Sequence, residues 1–313
     1  MLMPAGQIFK HCYGNYGIAA VNVWCMEQIH ALFSAAEKSL APFIVQMTPV
    51  AIDYGHSAML LSMISAAADI YPETVYSIHL DHGNRQAALS AISSGKFSSV
   101  MIDASHKVFG KNIDITTEIV EKAHANDMEV EAELGVLSGV EDDMVVNTEY
   151  KKYTQPEEVE EFVSKTGCDS LAVAVGTSHG AYKFSGDQGL QFDILKEIQN
   201  RLPGFPLVLH GGSAVNEDEI SRINASGGNL DPEARGVSAA EIRKAIQYGV
   251  CKINIATDAR IIWTRVHREF FKESPESFDP IVPGKMYMEE LKKFYIQKFD
   301  LLEATNKVTD LRL

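Results

Sequence analysis

SIHLDHG, residues 77–83, begins as a strand and ends as something else. Ser77, Ile78, His79 and Leu80 suit a half-buried strand. Asp81, His82 and Gly83 follow at once, a carboxylate wedged between imidazoles with a glycine to turn the corner. Whether such a cluster is chemistry or chance depends on what the rest of the chain brings to the same place.

Seven similar runs accompany the 75–80 strand (VYSIHL): IAAVNV (18–23), FIVQM (43–47), SVMID (99–103), EVEAEL (129–134), SLAVAV (170–175), PLVLH (206–210) and KINIA (252–256). Amphipathic stretches such as MEQIHALFSAAEK, IDITTEIVEKAHAN and PEEVEEFVSKT lie between them. Strands apolar on both faces, alternating with helices, mark a buried parallel sheet. Eight such units over about 250 residues predict a (β/α)8 TIM barrel, α/β in class, and no GxGxxG follows the first strand to favour a dinucleotide fold. The stretch from Met286 to about Thr305 reads as an additional C-terminal amphipathic helix. Neither linker nor repeat divides residues 1–313, so a single domain is expected.

Hydrophobic residues make up 46% of the chain and charged residues 22%, enough for a large core. The 28 Lys and Arg against 42 Asp and Glu leave a net charge of −14, which argues against nucleic acid or an anionic membrane as partner. An anionic substrate must therefore be held by local donors against an unfavourable field. Cys12, Cys25, Cys168 and Cys251 show no paired spacing and are expected as reduced thiols. MLMPAGQIFKHCYG at the start lacks the pattern of a signal peptide, and no run approaches the roughly 18 apolar residues that span a bilayer, so a cytoplasmic protein is expected.

The predicted strands carry polar groups to one end. These are Asn22; Gln46 and Thr48; Asp81 and His82; Asp103 and Ser105; Glu131 and Glu133; Gly176 to Gly180; His210 to Ser213; and Asn254, Thr257 and Asp258. One histidine at a strand end is more often a hydrogen-bonded cap than a ligand, but eight polar strand ends on one rim are hard to attribute to chance. His82, His179 and His210 could converge above the barrel, and three imidazoles leave a fourth position open on Zn2+, as in catalytic rather than structural sites. The other barrel metal arrangement, that of amidohydrolases, wants His-x-His on one strand. Here the spacing is His79-x-x-His82, and a period of two sends those rings to opposite faces. His210-Gly211-Gly212-Ser213 and Asn254-Ile255-Ala256-Thr257, beside Gly180 and Lys183, suit a phosphate, since barrels often bind one on the loops after strands 7 and 8.

These motifs, AAVNVWCMEQI, FIVQMT, HLDHG, SVMIDAS, EAELG followed by E-D-D, GTSHGAYKF, LVLHGGS and CKINIATD, run nearly end to end. They resemble the class II, zinc-dependent fructose- and tagatose-bisphosphate aldolases. The resemblance implies Zn2+ or another divalent metal on His82, His179 and His210, with Asp81 as general acid/base and Glu141 as proton donor. It assigns Asp103 and Glu133 to a second or supporting metal position. It places the substrate on Asn22, Thr48, Gly180, Lys183, Gly211, Gly212, Ser213, Asn254, Ala256, Thr257 and Arg260. It also implies a monovalent cation (Na+ or K+) near the phosphate, and a homodimer or homotetramer.

Two positions depart from the fructose-bisphosphate pattern. Strand 8 of that group usually reads N-x-D-T-D, whereas Ala256 stands here as in the tagatose-type members. The arginine of a D-P-R motif, contributed by a neighbouring subunit, is Ile281, leaving Lys285, Arg265 or Arg268 to compensate. Two alternatives carry different expectations. A class I aldolase would use a Schiff-base lysine, but Lys183 lies on a loop and Lys252 at the N-terminal end of its strand. A silent sugar-phosphate-binding barrel would need none of Asp81, Glu133 and Glu141.

Overall fold

The computed structural model of the chain describes all residues except 137, 142–143, 147–152, 180–188, 235 and 313, and the side chains of 138–141, 144–146, 178 and 179 are also outside the described set. In chain order the strands are β1 (Ile18–Asn22), β2 (Phe43–Met47), β3 (Tyr76–Gly83), β4 (Ser99–Ile102), β5 (Glu129–Leu134), β6 (Ser138–Glu141), β7 (Met144–Val146), β8 (Ser170–Val173), β9 (Ser178–His179), β10 (Leu207–Leu209) and β11 (Val250–Ile255). Eight of them close into a parallel barrel in the order β1-β11-β10-β8-β5-β4-β3-β2. Each coincides with one of the eight predicted runs. Most of their residues are buried, because helices cover the outer face and side chains fill the inner one.

The barrel interior is unusual in content. Met101, Ala172 and Val208, from β4, β8 and β10, form a small apolar plug separate from the main core. Around it the inward positions hold His79, Ser99, Glu131 and Lys252, all buried, where aliphatic side chains would be the ordinary filling.

β3 runs further than its sequence suggests, through Asp81 and His82 to Gly83. Leu80 pairs with Val100 and Gly83 with Ile102, so three steps on β3 match two on β4. This is a bulge, and His82 takes up the extra residue with φ of 46°. A Cβ on Gly83 would lie 2.6 Å from the Met101 carbonyl oxygen and 2.7 Å from Leu80 Cδ2. Glycine at 83 therefore answers to the close approach of β4 as well as to the turn.

Beside the barrel mouth β6 pairs antiparallel with β7 and parallel with β9. The described part of the polar stretch that follows β5 thus contains the antiparallel pair β6–β7. Strands of three or four residues that pair with a distant two-residue strand leave no periodic signal. The additional helix is present as Ile281–Leu301 and begins earlier than predicted. Its Tyr287 hydroxyl accepts from Gln28 Nε2 at 3.1 Å and donates to the Ala259 carbonyl at 3.1 Å, tying this helix to Met26–Ser39 and Thr257–Glu273.

Gly83→Ala should destabilise the protein by about 1–3 kcal/mol, the usual effect of overpacking a tight site. The urea unfolding midpoint reads this directly, and an unchanged midpoint would mean that β4 can shift away from residue 83.

Candidate active site

Asp81 is fully buried, and its carboxylate is surrounded by amides from the three strands that follow β3 round the barrel. Oδ2 accepts from Asn22 Nδ2 of β1 at 2.8 Å and from Gln46 Nε2 of β2 at 3.1 Å. Oδ1 accepts from Asn254 Nδ2 of β11 at 3.1 Å, with the Lys252 ammonium 3.9 Å away. Gln46 Nε2 also donates to Asn22 Oδ1 at 2.8 Å, locking the two amides together. Asn22 and Asn254, expected to bind substrate, thus also hold the carboxylate in place. Asn254 Oδ1 and Gln46 Oε1 are buried with no hydrogen-bond partner among the described residues.

The bulge turns His82 to the same side as Asp81. Its Nε2 lies 2.9 Å from Nδ1 of His210, and the rings meet edge to face with centroids 4.6 Å apart. Each ring is held from behind by a carboxylate. His82 Nδ1 is 3.2 Å from Asp103 Oδ2, and His210 Nε2 is 2.9 Å from Glu131 Oε1. A neutral imidazole keeps its proton on the nitrogen that faces a carboxylate. The two nitrogens that face each other are then both lone pairs, an arrangement that asks for a cation between them.

Carboxylate-backed imidazoles are the donor set expected around a divalent metal. Ligand atoms of Asp81, His82 and His210 lie within 4.8 Å of one another, as do those of His82, Asp103 and Glu133. The residues fit the group that the sequence implies. His179 lies on β9, whose backbone pairs with β6 at Gly139, and its side chain is outside the described residues. The same is true of the Glu141 side chain, and Gly180 and Lys183 are outside the described set altogether.

Burial opposes the charge on Asp103, but hydrogen bonds from His82 and Ser105 outweigh it and hold its carboxyl well below the usual range. Glu131 is likewise opposed by burial and held low by the Lys252 charge and by His210. Burial first, then the neighbouring His82, lowers the His210 ring. Burial first, then Lys252, lowers His79 to about 3.

Three neighbours of the site are given no role by the sequence reading. Lys252, dismissed for its place early in β11, is buried with Nζ 2.7 Å from Glu131 Oε2, and its long side chain reaches up toward Asp81. Glu131 bridges Lys252 and His210. Gln46 was noted as a strand end but given no role. The missed signal was the inward period of two, which places Glu131 with Glu133 and Lys252 with Asn254. The same rule misled for His79 and His82. Both reach the inner side, since His79 Nε2 is 3.4 Å from Glu131 Oε2, because the bulge resets the alternation after Leu80.

The loops after β10 and β11 are joined to each other. Gly211 adopts φ of 64°, and a Cβ on Gly212 would lie 2.5 Å from Ile253 Cγ2, so this second glycine is required by packing on β11. Asp258 accepts from the backbone N–H groups of Ala214 and Val215 at 3.1 and 2.9 Å. The Ala256 N–H donates to Ser213 Oγ at 3.4 Å, at the start of the helix Thr257–Glu273. Ser213, Thr257 and an amide-rich helix end therefore share one rim. Beyond it, Asn22, Trp24, Thr48, Tyr54 and Arg260 line a cleft of about 270 Å³. Arg260 lies 5.3 Å from the centre of the Trp24 ring. Thr48 also caps the helix Pro49–Gly55 by accepting from Ala51 N. Of the cations that could replace the missing arginine, Arg265 is buried and paired with Glu219, Glu269 and Glu290, and Arg268 donates to the Gly227 carbonyl.

Fold and site together define a (β/α)8 enzyme with a carboxylate–imidazole centre at the carboxyl end of its strands. The family model "Fructose-bisphosphate aldolase class-II" matches residues 4–307. A fructose-bisphosphate aldolase of Giardia intestinalis is 43% identical over 91% of this chain and 88% of its own length. One of Treponema pallidum is 40% identical over 92% of each. The crystal structure of the YdjI aldolase from Escherichia coli K12 superposes with a TM-score of 0.76 at 28% identity, covering 98% of this chain and all of that one. The chain belongs to the class II fructose-bisphosphate aldolase family. Among the described residues no helix is long and apolar enough to cross a membrane.

A pH dependence follows from the lowered histidines. The native His79 ring stays neutral down to about pH 3, while the unfolded ring takes up a proton below about 6.5. The unfolded state thus binds more protons, and stability falls as pH is lowered through that window. Between about pH 6.5 and 4.5, above the titration of unfolded carboxylates, wild type should lose stability faster than His79→Gln by up to about 1.4 kcal/mol per pH unit. Urea titrations at several pH values check this, and equal slopes would mean that His79 protonates in the fold.

Proposed function

We propose that this chain catalyses the reversible cleavage of fructose 1,6-bisphosphate to dihydroxyacetone phosphate and glyceraldehyde 3-phosphate, using a divalent metal, Zn2+ by the nature of its ligands, on His82, His179 and His210. The observation that carries the reading is the buried Asp81 carboxylate, held by three amides beside the facing nitrogens of His82 and His210. Simple sugar-phosphate binding gives no reason to bury a carboxylate there.

The metal, when bound, supplies the electrophile that polarises the ketose carbonyl without a Schiff base. Asp81 takes the C4 hydroxyl proton as the C3–C4 bond breaks, leaving C4 as the aldehyde. Its amide cradle fixes the oxygen that must lie within hydrogen-bond reach of that hydroxyl. Glu141 returns a proton to C3, and Asn254 Oδ1 is available as an acceptor for a substrate hydroxyl. Asp103 orients His82 and keeps its Nε2 turned to the metal, and Glu133 lies close enough to take up an alternative metal position. Gly180, Lys183, Gly211, Ser213 and Thr257 bind the C1 phosphate, helped by the amide groups at the helix start. A class I reaction through Lys252 is disfavoured, because its amine is engaged by Glu131 beneath Asp81 rather than open to a carbonyl.

A second reading concerns the far end of the substrate. Ala256 offers no carboxylate there, and Ile281, 59% exposed, offers no charge-assisted bond to a 6-phosphate. The cleft of Arg260 and Trp24 suits a ketose 1-phosphate or a tagatose-type substrate with a differently disposed terminus. The protein works as a homodimer or homotetramer on this reading.

Asp81→Asn should retain fold and metal but lose cleavage by about 10²-fold or more. Near wild-type turnover would remove Asp81 as the base. Stripping the metal with a chelator should abolish activity, and activity that survives would favour Schiff-base chemistry. For the distal end, kcat/KM for fructose 1,6-bisphosphate and for fructose 1-phosphate should differ by less than several orders of magnitude. A larger preference for the bisphosphate would mean that another cation has replaced the arginine.

A further inference from the structure

Lys252 and Glu131 lie inside the barrel, buried to within 2% of full cover. Lys252 Nζ meets Glu131 Oε2 at 2.7 Å, and the other oxygen of the same carboxylate faces His210 Nε2 at 2.9 Å. The same ammonium stands 3.9 Å from Asp81 Oδ1. One carboxylate and one ammonium thus lie between the imidazole that follows β10 and the carboxylate of β3.

Of the strands concerned only β10 and β11 are neighbours. β8 and β10 separate β5 from β11, and β1 and β2 separate β11 from β3. Backbone hydrogen bonding fixes adjacent strands, but it does not fix how side chains from opposite walls stand to each other across the interior. A reaction that takes a proton at Asp81 and polarises a carbonyl at a metal on His210 depends on that separation, and small misplacements are expensive in rate.

We propose that the Lys252–Glu131 pair is a positioning element that couples the orientation of His210 to that of Asp81. Glu131 fixes the His210 ring with Nε2–H donated and Nδ1 presented to the metal. Lys252 draws the Glu131 and Asp81 carboxylates toward one point. The inference rests on the metal-dependent reading above.

A packing feature and a positioning element respond differently when both charges are removed together. Breaking a buried pair by one substitution leaves an uncompensated charge, whereas replacing both partners by apolar residues is often neutral for stability. The test is therefore Lys252→Met combined with Glu131→Leu. Its thermal midpoint should stay near that of wild type. Its Zn2+ affinity, read by chelator competition on the metal-free protein, should fall 10- to 100-fold. With Zn2+ saturating, kcat should also fall, with little change in KM. A folded double variant with wild-type Zn2+ affinity would overturn the inference, whatever its kcat.

Where the double variant does not fold, Glu131→Gln replaces it. Its one amide oxygen can serve Lys252 or His210 but not both, so Zn2+ affinity should drop about tenfold or more, and unchanged affinity overturns the inference. Wild-type protein that takes up no Zn2+ overturns this inference together with the reading beneath it. Wild type and variants that bind Zn2+ equally overturn the inference alone.

Discussion

A carboxylate removed completely from water is the constraint on which this active centre depends. Isolated in an apolar interior, Asp81 would take up a proton or force the barrel open. It remains in place because Asn22, Gln46 and Asn254 present N–H groups from β1, β2 and β11, and because Lys252 stands below. Those residues lie far apart in sequence, and only a closed ring of tilted strands aims the ends of four of them at one point. Closure of the sheet and the chemistry at its mouth are thus one requirement. A one-residue slip in the β1–β11 register would withdraw Asn254 from Asp81 and turn the strand's inward residues outward.

The bulge in β3 meets a second requirement. Asp81 and His82 are consecutive residues that bring a carboxylate and an imidazole side by side at the site. A regular strand forbids this, because residues 81 and 82 would face opposite ways. One extra residue against β4, with His82 at positive φ, brings both to the inner side. Such a conformation is unfavourable for a non-glycine residue and persists where its surroundings determine it. Here they include the His82 N–H, 3.3 Å from Met101 Sδ, the Asp103 N–H bonded to the Gly83 carbonyl, and the absence of a side chain at Gly83. The sequence His-Leu-Asp-His-Gly is therefore one device whose last residue permits the first four to be used.

The eight barrel strands were legible because burial on both faces leaves short apolar runs of distinct length between amphipathic stretches. The rim residues were legible because polar groups at strand ends contradict that pattern. What stayed hidden was depth. Lys252 was judged by where its backbone lies along β11, yet four methylenes carry its ammonium most of the way to Asp81. Glu131 and Glu133 look alike in EVEAELG, and only the structure separates the carboxylate beneath His210 from the one beside His82. The β6–β7–β9 sheet was hidden for another reason, since its pairing joins positions about 40 residues apart through strands too short to show alternation. Gly212 also packs closely on Ile253, a reason for the second glycine that the motif alone does not give.

The site has a buried level and an exposed one. His79, Glu131 and Lys252 fill inward positions that most barrels give to valine, isoleucine and leucine, so the machinery displaces packing at the axis. A change there unbalances a buried charge, and its consequences spread to every partner in the network. The distal rim is built otherwise. Ala256 stands at a helix start, Arg260 leans on Trp24, Tyr54 is 77% exposed and Ile281 opens a surface helix. None of these side chains touches Glu131 or Lys252 among the described contacts, so substitutions there can leave the Asp81 cradle undisturbed. Ala256 and Ile281, the two positions that depart from the fructose-bisphosphate pattern, both lie outside the buried network of Asp81, Glu131 and Lys252.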